Sequence, residues 1–467
     1  MDTYFDWIAV GSGASGLASA LWAAHRGLKA IVLEKAAVVG GSTAYSYGGL
    51  WAPNNMLQRA AGMDDSDEQG LEYLHFLSGG FAEEEKMRMY VKEAAATIEA
   101  FAQLGVPFRM IEGLPDHYFP GAPGSLGFGR TLEVVPLPKK ALPDSAPALL
   151  ESPYMPGGVS WSDAIKWGGL GNRYSWAPEN LDHAASLYAA GQGLVAWLLL
   201  KCMEKGVTLL TQSPATRLLL EDGRIAGVEV RAGDRTQQIK GNCGVFLGTG
   251  GYECNPEFVR AYQSFPNSAP HHPPTQTGDG LLMAGELGAF IRNIPTSLSS
   301  MVGYWIPRPG GEPEFHSAGI QELAYPHSIV VNSEGKRFGN EAFFQEFVVK
   351  LRELMWLKSI DTRTYHSFCY SILNSESAIR LPIFRPKGRC RLGSNELSRL
   401  RISHNNWAST RSCSSKQSPN SMIVLAPAWI RNSAGANLYG FGKSVTPNIR
   451  STPTWGHCQR RRFMAWN

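Results

Sequence analysis

Apolar residues fill the first strand-sized run of the chain, Tyr4-Phe5-Asp6-Trp7-Ile8-Ala9-Val10, with one acid inside it. A short run of this kind predicts a buried strand. Residues 14–26, rich in Ala and Leu, predict a helix that Gly27 stops, and Lys29 to Leu33 predicts a second strand. The acidic cluster Asp64 to Glu68 suits a helix start. From Glu83 to Leu104 the residues Met87, Tyr90, Val91, Ala94, Ile98 and Phe101 fall at helical spacing, and Gly105 ends that helix. Residues 106–180 are rich in Pro, Gly and aromatics and predict irregular covering segments. Ala184 to Glu204 predicts a further helix. Val207 to Leu210 predicts a strand, and Ala215 to Leu220 with Ile225 to Val230 predicts a hairpin turning at Asp222-Gly223. Gly244 to Gly248 predicts another buried strand. Thr277-Gly278-Asp279-Gly280 opens an amphipathic helix through Leu287, and 328–338 reads as strand, turn, strand.

Strands that alternate with helices in this way imply an α/β fold. The chemistry sits in the connections. Gly11-Ser-Gly13-Ala-Ser15-Gly16 joins the first strand to the first helix. Gly11 allows the tight turn, Gly13 admits a pyrophosphate against the backbone, and Gly16 lets helix and strand pack closely. The helix N-terminus then faces the phosphates, with Ser15 in its first turn. Glu34 ends the second strand 18 residues after Gly16 and is followed by Lys35. That is near the roughly 20 residues expected for a carboxylate that bonds a ribose hydroxyl. Without a ligand the same glycines would only make a tight turn.

An acid at Glu34 suits a nicotinamide or a flavin dinucleotide. The stretch 40–51 decides for the flavin. Gly41, Ser42, Thr43, Ser46, Gly48 and Gly49 place backbone N–H and hydroxyl groups where they reach the rest of a larger cofactor. Thr249-Gly250-Gly251 closes the later strand and predicts a second close approach of backbone to ligand. Ala215 joins the cofactor-binding candidates. Asp279 is expected either to cap its helix or to touch the cofactor.

Composition narrows the picture further. The length suits two domains, or one large domain with an insertion. Hydrophobic residues make up 43% and charged residues 18%, enough for a proper core. No run is long and apolar enough to span a membrane. No secretory signal precedes the first strand, so a cytoplasmic protein is expected. The 7 cysteines are scattered without a C-x-x-C pair, which argues against a disulfide framework or zinc site. His271 and His272 are adjacent, but no ligand spacing supports a metal, and none is expected.

The ordered set of motifs resembles the flavoproteins of the fumarate reductase and 3-ketosteroid dehydrogenase superfamily. It comprises Gly11 to Gly16, Glu34-Lys35, Gly41 to Ala44, Gly250-Gly251, Thr277 to Gly280, Val330 to Asn332 and Lys336 to Glu341. Residues 40–54 look most like the 3-ketosteroid Δ1-dehydrogenase branch. The resemblance covers about residues 4–356. It implies a Rossmann-like FAD-binding domain with an inserted α+β catalytic domain. On this reading 1–288 is the FAD-binding domain, with 106–180 as covering segment, and 289–357 begins the catalytic domain. It implies non-covalent FAD, a flat ketosteroid-like substrate, an electron acceptor and peripheral membrane contact. A hydride leaves C1 for flavin N5 and a tyrosine takes the C2 proton, while a second tyrosine and a backbone N–H polarise the C3 carbonyl. Asp116-His-Tyr118-Phe-Pro120 resembles the segment that carries one active-site tyrosine, so Tyr118 is the catalytic candidate. Another tyrosine is expected after Asn340-Glu341, where Phe343, Phe344 and Gln345 stand instead. Tyr47 stands where the family usually has glycine. The rival reading is a fumarate-reductase-like flavoprotein, which needs arginines to clamp a small carboxylate. Of Arg292, Arg308 and Arg337, only Arg337 lies in a family motif.

The resemblance stops near residue 357. Residues 358–467 hold 17 Lys and Arg against 3 Asp and Glu, whereas residues 1–357 hold 27 against 37. A basic tail can signal nucleic acid, but no nucleic-acid partner is expected here. The reading that fits is a frame shift near residues 357–365. Codons for Cys458 to Asn467, read two bases later, can encode Pro-Lys-Ala-Pro-Phe-Tyr-Gly-Val-Glu, which resembles the family's C-terminal tyrosine segment. On this reading 358–467 is an irregular tail without an evolved fold. The carbonyl-polarising tyrosine and the closing flavin segment would be missing, and an inactive, truncated product is then the expectation.

Overall fold

The computed structural model describes residues 3–291 apart from 117–120, 154–156, 170–174, 234 and 263–268. It also gives the backbone of four strands, Val302–Ile306, Glu314–Ser317, Ser328–Val331 and Cys369–Ile372. Tyr118, the stretch around Phe343, and the tail other than Cys369–Ile372 lie outside the described residues. So do the turn and second strand expected after Val331.

β1 (Tyr4–Val10) alternates its buried residues between two faces, as a pleated strand must. Ala9 turns to one core cluster, and Ile8 and Val10 to the other. α1 (Ala14–His25), β2 (Ala30–Leu33), α2 (Gly41–Tyr45) and β3 (Leu50–Trp51) follow. α3 (Met56–Ala60) begins at a capping box in which Asn55 and Gln58 bond each other's backbone. α4 (Asp67–Ser78) starts where the Ser66 side chain accepts the Gln69 N–H. The acids of 64–68 thus flank that cap. α5 (Glu84–Gln103) buries Met87, Val91, Ala95 and Ile98, while Tyr90 is exposed and donates its hydroxyl to the Trp51 carbonyl at 2.9 Å.

The stretch 106–180 holds more regular structure than its composition predicts. β4 (Phe108–Met110) and β3 both pair antiparallel with β5 (Thr131–Val134). β6 (Leu137–Pro138), α6 (Trp161–Lys166) and α7 (Pro178–Ala185) follow. Strands of two to four residues show no local period, and pairing with distant partners makes them. The helix expected from Ala184 is two helices. α7 ends at Ala185, β7 (Leu187–Tyr188) pairs with β6, and α8 (Ala190–Glu204) starts afresh. Ala190 takes a left-handed φ of 50°, which breaks any helix continuing from α7.

β8 (Thr208–Leu210) joins the sheet beside β2, and β9 (Ala215–Glu221) with β10 (Arg224–Ala232) forms the expected hairpin. β11 (Arg235–Leu247) runs well ahead of the expected Gly244. Its first half pairs antiparallel with β10, and its second half pairs parallel with β1. α9 (Pro256–Tyr262) and α10 (Asp279–Glu286) complete the described helices. The six-stranded sheet runs β8-β2-β1-β11-β10-β9, with β1 central. One face carries α1 and α8 on a core of Ala9, Leu17, Leu21, Val32, Val195 and Leu199. The other face is filled by Ile8, Ile31, Val228, Val230, Ile239 and Met283. This is the mixed α/β architecture expected from the alternation of elements.

Candidate functional site

The carboxyl ends of β1 and β2 open into one cleft that continues into solvent. Ligand sites of open α/β sheets lie in this position. Gly11 makes the turn out of β1 with a φ of 101°, and a Cβ there would lie 2.3 Å from the Gly248 carbonyl oxygen. At Gly16 a Cβ would lie 1.8 Å from the Gly11 carbonyl oxygen. These two glycines let β1, β11 and α1 converge. Gly13 is the helix N-cap and makes no side-chain cap bond; no acid lies in the first turn of α1. The Thr43 hydroxyl accepts the Ala14 N–H at 3.0 Å. This arrangement keeps the positive end of the helix dipole available to an anion.

Glu34 is 8% exposed and held from two sides. Its Oε2 accepts the Ser12 N–H at 3.0 Å and the Ser12 hydroxyl at 2.6 Å, and Oε1 accepts the Ala36 N–H at 2.8 Å. The carboxylate therefore faces the cleft in one fixed orientation. Lys35 crosses the opening: its ammonium donates to Thr277 Oγ1 at 2.8 Å and pairs with Asp279 Oδ2 at 2.7 Å. Asp279 also accepts the Thr277 hydroxyl at 2.6 Å and makes no cap bond, because Gly278 is the N-cap of α10. The capping alternative for Asp279 is thereby set aside; its charge neutralises Lys35.

Ser42, Gln276 and His272 meet beside the cleft. Ser42 Oγ lies 3.2 Å from His272 Nδ1 and donates to Gln276 Oε1. Gln276 Nε2 donates to Glu253 at 2.6 Å. Burial pushes the His272 imidazole below its ordinary range, partly offset by Glu253. Burial, with His272 beside it, pushes His271 down to about 4. Both rings are uncharged at neutral pH. Among the described residues no group of three or more His, Cys, Asp or Glu is placed to hold a metal ion.

Gly11, Gly13, Ser15, Glu34, Lys35 and Gly41 line the cleft. So do Ser42, Thr43, Ala215, Thr249, Gly250 and Asp279. Gly16, Ser46, Gly48, Gly49 and Gly251 do not. Gly16 and Gly48 serve packing: a Cβ on Gly48 would lie 2.4 Å from the Ala190 carbonyl carbon at the start of α8. Ser46 donates to the Thr43 carbonyl at 2.8 Å and closes α2. Gly49 lies against Thr131. The Gly251 carbonyl accepts the Gly278 N–H at 3.0 Å, which ties the Thr-Gly-Gly turn to α10. Sequence reading missed Ser12 and Gln276. Ser12 sits at an unconstrained place in the glycine motif, and nothing local distinguishes Gln276.

The residues present fit a dinucleotide. Gly11 and Gly16 have room for no Cβ, the helix start carries no acid, and a fixed carboxylate stands at the end of the neighbouring strand. The chain matches the family described as FAD binding domain over residues 6–355. A 3-oxosteroid 1-dehydrogenase of Mycolicibacterium smegmatis is 33% identical over 366 residues, covering 72% of this chain and 62% of that protein. A 4-oxocyclohexanecarboxylate 2-dehydrogenase of Sinomonas cyclohexanicum is 31% identical over 355 residues, covering 72% and 59%. The solved 3-ketosteroid delta1-dehydrogenase from Sterolibacterium denitrificans, in complex with 1,4-androstadiene-3,17-dione, superposes with a TM-score of 0.64 at 27% identity. That match covers 77% of this chain and 67% of the solved one. The chain thus spans about three fifths of the length of the curated relatives it matches.

Proposed function

Because this chain belongs to the FAD binding domain family, we propose that it is an FAD-dependent dehydrogenase of CH–CH bonds next to a ring ketone. The observation that carries this reading is the cleft itself, where Gly11, Gly13 and the start of α1 face Glu34 across β1 and β2. The names of the two similar dehydrogenases share a chemistry, desaturation beside an oxo group on a six-membered ring. A 3-ketosteroid is the substrate we assign. Ser42, Thr43 and the α1 start bind and orient the diphosphate, and Glu34 takes a ribose hydroxyl. FAD, when bound, supplies the hydride acceptor. Tyr118 takes the proton from the carbon next to the ketone. That proton is acidic only while the carbonyl is polarised by a hydrogen-bond donor, so with the tyrosine expected for that task missing, turnover of this chain requires another donor. An external acceptor must then remove the two electrons.

Two measurements test this. Purified protein should show flavin absorbance, and a 3-ketosteroid should bleach a dye acceptor while a small dicarboxylate does not. Tyr118→Phe should lower kcat about 100- to 10,000-fold, the usual range for a general base, with the flavin retained. Bleaching driven by the dicarboxylate instead would overturn the ketone reading, and flavin without any turnover would leave only the binding role.

A further inference from the structure

Ser12 stands inside the glycine turn and is fully buried. Its hydroxyl donates to Glu34 Oε2 at 2.6 Å, and its backbone N–H donates to the same oxygen at 3.0 Å. The Gly40 N–H donates to Ser12 Oγ at 3.0 Å. Chemistry fixes the direction of both hydroxyl bonds. A carboxylate oxygen only accepts and a backbone N–H only donates. The one hydroxyl proton therefore goes to Glu34, and a lone pair meets Gly40.

The two partners belong to different parts of the cleft. Glu34 follows β2, whereas Gly40 is the N-cap of α2, whose residues Gly41, Ser42 and Thr43 line the cleft. Gly40 has no side chain to hold its place, and its φ of 126° leaves little room for one: a Cβ there would lie 2.8 Å from the Ala44 Cβ. Its neighbour Val39 is tied elsewhere, donating to the Ala148 carbonyl at 2.9 Å and accepting the Leu150 N–H at 2.8 Å. α2 meets the turn a second time, where Thr43 accepts the Ala14 N–H at 3.0 Å. One hydroxyl thus joins the carboxylate after β2 to the start of α2. Without it the Gly40 N–H would be buried without its acceptor, and Glu34 would keep two of its three donors, the Ser12 and Ala36 N–H groups. A buried donor left unpaired costs more than the bond itself contributes, so the segment would shift to relieve it.

We propose that Ser12 is a positioning residue that aims Glu34 at the ribose and seats the start of α2 for the rest of FAD. Both halves of the cofactor then meet one hydrogen-bonded unit. This role rests on the reading of Glu34 as the ribose acceptor. The full chain, freed of flavin, is titrated with FAD, ADP and 2′,3′-dideoxy-ADP. The unaltered protein should prefer ADP to its dideoxy analogue about 10- to 100-fold, the range for a hydrogen bond to a charged acceptor. Ser12→Ala should shrink that preference about 3- to 10-fold, and should shrink the preference for FAD over ADP by a similar factor. Ser12→Cys, close in shape but a weak donor, should fall between.

A serine that only supports the fold would weaken all three ligands by one factor and leave both preferences in place; that result would overturn the proposal. So would a change in one preference without the other, since the hydroxyl would then not join the two parts. If Ser12→Ala does not fold, the same two preferences in Ser12→Cys decide. If the unaltered protein binds ADP and the dideoxy analogue equally, the ribose role of Glu34 fails and the role of Ser12 falls with it. If the unaltered protein discriminates and both variants discriminate equally well, only the role of Ser12 falls.

Discussion

Glu34 shows how a single side chain is prepared before any ligand arrives. Three donors fix its carboxylate, so a ribose hydroxyl bonded there, as proposed, would meet a group that needs no reorientation. Hydrogen bonds to a charged acceptor are worth about 1.5–3 kcal/mol. Glu34→Gln should therefore weaken FAD binding about 10- to 100-fold, measured by titrating apoprotein and following flavin fluorescence. His271 makes a second prediction, with a definite sign. Its imidazole is held at about 4 against an ordinary 6.5. Between those two values the unfolded chain takes up a proton that the folded chain refuses. Its contribution is fully present above 6.5 and is lost as pH falls toward 4. Urea midpoints should decline across that window, and His271→Gln should flatten the decline. At this scale the glycines and the acid of the cleft were legible, because sterics and charge allow few substitutes. Ser12 and Gln276 were not, because their roles depend on partners 22 and 23 residues away.

Among the elements, α8 is the one on which the cleft leans. Its first turn presses backbone to backbone on α2: a Cβ on Gly191 would lie 1.8 Å from the Thr43 carbonyl oxygen, and the Gly191 N–H donates to Ser46 at 3.1 Å. Thr43 in turn holds the first N–H of α1. Gly191→Ala should therefore push α2 outward and lose flavin, although residue 191 does not line the cleft. The check is the ratio of flavin to protein absorbance after purification, with far-ultraviolet circular dichroism to show that the helices remain. The helix itself was visible from its apolar content, but its start was not. Nothing in Ala184 to Gly191 announces that Ala190 must turn left-handed to bring Gly191 against Thr43. The short strands β3 to β7 were missed for a related reason. Each is fixed by a partner far along the chain, and each is too short to carry a period.

Across the whole molecule, FAD should act as a structural ligand. A dinucleotide lying across the ends of β1 and β2 binds the folded state alone, and at about 100 times its Kd it adds about 2.7 kcal/mol. Thermal unfolding of the apoprotein should shift upward with added FAD, and by less with ADP-ribose at equal concentration if the isoalloxazine end contributes. The α/β class was readable because strand and helix signals alternate over residues 4–33 and again over 184–287, and the flavin grip because glycines and hydroxyls cluster at the turns between them. The domain division at 288 and 357 was read from composition and resemblance, and stays a proposal.

The central strand also sets a timetable. β1 holds the first residues of the chain, yet one of its two neighbours is β11, which ends at Leu247. A ribosome adding about 5–20 residues per second needs about 12–50 s to supply that neighbour. During this interval Tyr4 to Val10 is an apolar strand with an unpaired edge. Its vitamin-derived passenger can board only once β11 and the cleft wall through Asp279 have emerged from the ribosome.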